Sequence, residues 1–319
     1  MPPKPEAKPA LICGGQETAP GRKSRYEVPV SRLPTGSRLS MPVVVINGKH
    51  PGPTVWLSGA IHGDELNGVE VVRRVLPYID QRTLRGAIIA VPVVNVFGFV
   101  EQSRYLPDGR DLNRSFPGSV RGSMASQLAA LFMKEVVMQC ELGIDLHTAA
   151  AHRTNIPQVR ANLEDAETFE LANAFGAPFV IDARLRDGSL RAAATKRGIK
   201  VLLYEAGQIH RFDEYAIEHG VNGVLRVLQA MGMGNWDTPS FEPPIDIRTT
   251  RWVRARRAGL MQLETELGAK VDKGDVLGLI SDALGNRSTR VTAPSPGHVI
   301  ALNQNPLITQ GEALVHIAS

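Results

Sequence analysis

A chain of 319 residues, 43% hydrophobic and 21% charged, has the composition of a globular protein with room for one large domain and a small one. No apolar run approaches the roughly 20 residues that span a bilayer, and the N-terminus lacks the hydrophobic stretch of a signal peptide, so neither membrane insertion nor export is expected. The net charge of +4 and a pI near 9.2 suit an anionic substrate or partner, while 5% aromatics offer no stacking platform for nucleic acid.

Residues 1–24 are set apart as an N-terminal tail, whose first ten residues form a Pro/Lys-rich stretch that reads as disordered. Cys13 and Cys140 stand in unrelated contexts and read as reduced thiols of a cytoplasmic protein. Arg25 to Asn47 suggests antiparallel edge strands. From Thr54 to Ala60 the chain reads as a buried strand, followed by a helix over Asn67 to Ile79 with Val69, Val72, Val75, Leu76 and Ile79 on one face. Ala87 to Val94 is a second strand, though Pro92 argues against a regular one. Ser123 to Cys140 has helical spacing of Met124, Leu128, Leu131, Phe132, Val136 and Val137. Gly143–His147, Phe179–Asp182 and Lys200–Glu205 read as strands. Glu164–Phe175, Ser189–Arg197 and Phe212–Met231 read as helices between and after them. Strands that are apolar on both faces and separated by helices imply an α/β fold with a mixed, largely parallel sheet covered on both sides. This places a catalytic domain at 25–236. A Pro-rich linker follows at 237–246, and the glycine-punctuated segment 247–319 reads as a small all-β domain.

Polar clusters fall at the ends of these strands, the usual position for sites in open α/β sheets. His62 and Glu65 lie three apart in Gly59-Ala-Ile-His-Gly-Asp-Glu65, where a turn can aim both at one point. His147 ends a strand, and Asp145 shares its face two residues earlier. Imidazole and carboxylate are zinc ligands, and three protein ligands with an open position is the usual catalytic arrangement. Asp145 suits an outer carboxylate that fixes the His147 tautomer. A lone His-x-x-Glu is a weak signal that surface turns also produce; its joint occurrence with Asp145/His147 is far more specific. Glu205 follows a buried strand and reads as a general base, with pairing to a nearby cation as the bland alternative. The loop Ser103 to Gly118 is rich in donors. There, Arg114 can grip a carboxylate, Asn113 adds an amide, and Arg104 can aim at an oxyanion. Arg248, Arg251, Arg254, Arg256 and Arg257 form the densest basic stretch, read as a solvated face with an acidic partner surface as the alternative.

The motifs Gly63-Asp-Glu65 after His62, Asp111-Leu-Asn-Arg114, Asp145-Leu-His147 and Tyr204-Glu-Ala-Gly207 together resemble the succinylglutamate desuccinylase/aspartoacylase family, with its zinc carboxypeptidase-like fold. The resemblance spans about Val28 to Ser319. It implies one zinc ion per chain held by His62, Glu65 and His147, with Glu205 as general acid/base. It also implies Arg104 polarising the scissile carbonyl and Asn113 and Arg114 on the substrate carboxylate. The stretch His152 to Arg160 resembles pocket-lining sequence, which makes Arg160 a substrate-binding candidate. His152 and His210, close in sequence to site residues, are candidates for reaching the pocket. The C-terminal segment resembles a biotinyl/lipoyl module, but its hairpin Ser281 to Ser288 has no lysine to carry a cofactor, so a cap over the zinc site is the expectation. The implied activity is zinc-dependent deacylation of a small anionic N-acyl amino acid. Trimming of glutamate-rich peptide or protein tails is the alternative, and a catalytically dead binding module is disfavoured because no expected ligand is missing. No oligomeric state is legible.

Overall fold

A computed structural model describes residues 8–319. The first seven residues of the expected tail lie outside the described residues. Beyond residue 10 much of that stretch forms strands. β1 (Leu11–Cys13) and β2 (Gln16–Thr18) form a hairpin, and β3 (Arg22–Arg32) begins three residues before the predicted edge strand. The physical anchors are Cys13, fully buried in an apolar cluster, and Lys8, which donates to the carbonyls of Gly48 and Gly86.

The main body follows. β4 (Arg38–Asn47) and β5 (His50–Gly59) precede α1 (Asn67–Val75); β6 (Arg85–Val91), α2 (Val96–Glu101), α3 (Met124–Glu135) and β7 (Leu142–Ala149) come next. After β8 (Arg153–Ala161) come α4 (Ala166–Phe175), β9 (Phe179–Asp182), α5 (Leu190–Thr195), β10 (Lys200–Gln208) and α6 (Glu214–Ala230). β11 (Ile245–Ile247), β12 (Thr250–Arg254), β13 (Gly259–Leu263), β14 (Lys270–Val271) and β15 (Val276–Ser281) open the C-terminal segment. β16 (Ser288–Thr292), β17 (Gly297–Asn303), β18 (Leu307–Ile308) and β19 (Ala313–Ala318) complete it.

Thirteen strands form one sheet whose path runs β12-β19-β17-β8-β10-β7-β5-β6-β4-β3. Its centre, β10-β7-β5-β6, is parallel, and antiparallel pairs extend it on both sides. Two apolar clusters sandwich this centre, one under α1, α4 and α6, the other under α2, α3 and α5. The C-terminal strands join the same sheet, because β17 pairs antiparallel with β8. The remaining C-terminal strands form a four-stranded sheet, β16-β15-β13-β18. Among the described residues no helix is long and apolar enough to cross a membrane.

Local departures from the sequence reading have simple causes. β6 stops before Pro92, which has no N–H to donate to a ladder. In α1 the buried stripe is Val71, Val72 and Val75, while Val69 is half-buried against the second cluster. α3 follows Ser123, which caps it with a hydroxyl that accepts from Ser126 N, and breaks at Val136 before a short 3₁₀ turn. The stretch read as resembling pocket-lining sequence lies in β8, a strand with a register shift near Pro157.

Candidate active site

The parallel strands β5, β7 and β10 deliver their C-terminal ends to one place. Beyond β5 the chain turns sharply at Ala60 (φ 46) and is held there by Asn95 N donating to Ala60 O. Gly63 then passes so close to α2 that a Cβ would lie 1.9 Å from Gly98 C, so only glycine fits between His62 and Glu65. This turn faces His147 on β7. His62, Glu65 and His147 are all buried, and one donor atom from each lies within 4.8 Å of the others. The Nδ1 atoms of His62 and His147 stand 2.7 and 2.8 Å from the two oxygens of Glu65.

Each remote Nε2 meets a carboxylate. His147 Nε2 donates to Asp145 Oδ2 at 2.8 Å; the other oxygen of Asp145 accepts from Ser58 Oγ, itself a partner of Trp56 Nε1. His62 Nε2 lies 3.2 Å from Asp111 Oδ1, and Arg104 grips Asp111 Oδ2 through Nε and Nη2. With Nε2 carrying the proton, both Nδ1 lone pairs point inward, toward a shared centre. This is the outer carboxylate–histidine pairing that fixes the tautomer of a metal ligand. Burial pushes the Glu65 carboxyl upward, but the two imidazoles outweigh it and hold it well below the usual carboxylate range. Burial likewise opposes charge on His62 and His147, yet the surrounding carboxylates raise both above the ordinary histidine value. Two nitrogens and an acidic carboxylate, pre-oriented and unable to leave, can hold a metal ion.

Glu205 on β10 is in register with His147 on β7, and its Oε2 accepts from Asn155 Nδ2 at 2.7 Å. A cavity of about 380 Å³ opens in front of these groups. Seven arginines line it against two glutamates, Glu65 and Glu205. In the part of the lining contributed by β8, α5 and the C-terminal strands, polar atoms are left without partners: Arg153 Nε, Arg160 Nε, Arg191 Nη1 and His316 Nδ1. Burial, with Arg160 beside it, lowers the Arg191 guanidinium to about 10. Burial, with Arg160 and Arg153, lowers His316 to about 3, so that imidazole is neutral. His316 stacks on its cross-strand neighbour Trp252 with ring centroids 4.3 Å apart, and Arg153 lies over the indole. Both rings and Thr250 belong to the C-terminal strands, so this segment walls the cavity.

Residues 51–231 match the succinylglutamate desuccinylase/aspartoacylase catalytic domain. The chain belongs to this family. It is 30% identical over 256 residues to an N-alpha-acetyl-L-2,4-diaminobutyric acid deacetylase of Halomonas elongata, across 76% of this chain and 74% of that protein. A succinylglutamate desuccinylase/aspartoacylase crystal structure from Rhodobacter sphaeroides superposes with a TM-score of 0.84 at 26% identity, covering 93% of this chain and 95% of that one. The product-bound ectoine utilization protein EutE (DoeB) of Ruegeria pomeroyi gives a TM-score of 0.84 at 25% identity, over 93% and 94% of the two chains. Membership makes this chain a hydrolase of the deacylase type.

The structure brings His62, Glu65, His147, Glu205, Arg104, Asn113, Arg114 and Arg160 onto one cavity, with Asp145 behind His147. Asn113 spends its Oδ1 on Leu190 N at the start of α5, which leaves its amide N–H groups for a ligand. His152 and His210 do not join the desuccinylase/aspartoacylase site; both are exposed, take left-handed backbone, and lie off the cavity lining. Asp111 behind His62, Asn155 behind Glu205 and Arg153 on the cavity wall lay in stretches the sequence reading quoted but received no role of their own, while Arg191, Trp252 and His316 were not proposed for the site. Arg191 carried a readable signal, since a charged residue in the first turn of a helix built from alanines needs a partner. Trp252 and His316 were not singled out, although the C-terminal segment that carries them was expected to cap the site.

Proposed function

We propose that this chain is a zinc-dependent amidohydrolase that deacylates a small acidic N-acyl amino acid. The convergence of His62, Glu65 and His147 at the mouth of an arginine-lined cavity carries this reading. A volume of about 380 Å³ suits a ligand of amino-acid size, and a wall formed by Thr250, Trp252 and His316 favours a small substrate over a polypeptide tail.

Zinc, when bound, supplies Lewis acidity that polarises a carbonyl and lowers the pKa of water. The protein's own groups do the rest. Asn113 and Arg114 take the substrate carboxylate and fix the amide beside the histidines. Arg104, anchored by Asp111, presents its guanidinium to the oxygen on which negative charge develops. Glu205 takes the proton of the attacking water and returns it to the leaving amine nitrogen. Arg153, Arg160 and Arg191 receive a second anionic group, since buried guanidinium N–H groups without partners are costly.

This charge pattern sets the expected substrate order. N-acetyl-2,4-diaminobutyrate, the compound in the name of the Halomonas relative, carries a side-chain ammonium that such a wall repels. Amine release is to be followed on zinc-loaded and chelator-treated protein. The panel holds acetyl and succinyl derivatives of glutamate and aspartate, of diaminobutyrate and of alanine, beside an oligo-glutamate peptide. Preference for the acidic small substrates is expected. Preference for diaminobutyrate, glutamate release from the peptide alone, or undiminished turnover after metal removal each contradicts the proposal.

A further inference from the structure

Strand β8 holds an irregularity that serves Glu205. On β10, Leu203 and Glu205 face Arg160 and Gln158, yet Gly207 faces Asn155. Three steps along β8 therefore match two along β10, and an extra residue bulges out between Asn155 and Gln158. In a regular strand residues 155 and 158 would point to opposite faces. The bulge returns Asn155 to the face that carries Arg160 and Glu205. Pro157 sits within it, where a missing N–H costs no ladder bond. Across from it Gly207 adopts φ 70, and a Cβ there would lie 2.5 Å from Asn67 Nδ2. On its other edge β8 pairs with β17, placing Ala301 opposite Asn155 and Asn303 opposite Arg153.

We propose that Asn155 is the positioning residue of the catalytic base: its amide fixes Oε2 of Glu205, leaving Oε1 to meet the attacking water, and β17 of the C-terminal segment holds Asn155 in place. An amide is suited to this because it donates to a carboxylate without carrying a charge. The inference rests on Glu205 as the base. It assigns the C-terminal strands a part in catalysis that is separate from walling the cavity.

Two variants distinguish positioning from mere packing. Asn155→Asp keeps the shape but sets a carboxylate against Glu205, whereas Asn155→Ala leaves room for a water to donate instead. Positioning predicts that kcat falls about 100-fold in Asn155→Asp and about 10-fold in Asn155→Ala, with KM within about twofold and zinc content unchanged. A packing role predicts the reverse order, with the isosteric aspartate milder, and that order overturns the proposal. Crystal structures of both zinc-loaded variants read the same point without turnover. A Glu205 carboxylate swung from its position in Asn155→Asp supports the proposal, and one unmoved there overturns it. A wild-type enzyme inactive on every substrate, with Glu205 displaced in the variants, would sink the deacylase reading while leaving the hold of Asn155 on Glu205 standing.

Discussion

The two ends of the cavity are built on opposite principles. His62, Glu65 and His147 each meet partners within the protein: Asp145 and Asp111 take the outer nitrogens, and Thr148 N donates to Glu65 Oε2. At the far end Arg153, Arg160, Arg191 and His316 each leave a buried nitrogen unmatched. One end is self-contained and rigid, as a ligand set must be to orient a metal. The other is incomplete, as a recognition surface for an anion must be. The molecule thus separates chemistry from selection along a single cavity, and substitutions at the two ends should fail differently.

The largest effect is expected where chemistry is concentrated. Glu205→Gln should lower kcat by about 10²–10⁴-fold while zinc content, read by atomic absorption, stays at one per chain. Asp145→Asn should loosen the metal instead, weakening zinc affinity about 10–100-fold in a chelator competition. At the recognition end, Arg160→Met or Arg191→Met should raise KM for an acidic substrate about tenfold and leave that for N-acetylalanine nearly unchanged. An equal change for both substrates would erase the contrast between the ends. The smallest effect concerns acid stability. His316 is lowered from 6.5 to about 3 in the folded protein, so between those values the unfolded chain binds a proton that the folded chain does not. Stability should therefore fall as pH drops through 6.5 toward 3, by at most about 1.4 kcal/mol per pH unit from this group. His316→Gln should flatten that slope in urea titrations at pH 7 and pH 5.

The sequence made the self-contained end legible and the incomplete end obscure, for a physical reason. Ligands at the ends of parallel strands advertise themselves, because apolar runs such as those before His147 and Glu205 end abruptly in charge. Most strands and helices from Thr54 to Met231 were readable for the same reason, α2 and β8 excepted. The recognition end is assembled from distant pieces: Arg160 and Arg153 from a strand whose bulge breaks the period-two pattern, Arg191 from a six-residue helix, and Trp252 and His316 from the C-terminal segment. Only Arg160 among these was singled out, through resemblance rather than pattern. The N-terminal hairpin was hidden by composition, since its anchors are one cysteine and one lysine in an otherwise polar stretch.

The pairing of β17 with β8 also bears on how this sheet ends. Ending the chain before residue 247 would strip the ladder partners from Arg153, Thr154 and Asn155 and turn that length of β8 into an open edge. Open edges recruit strands from other molecules. Removal of the C-terminal segment is therefore expected to give aggregates in place of an enzyme with a wider substrate range. The strand that supports the cavity is also the one that keeps neighbouring chains from adding to the sheet.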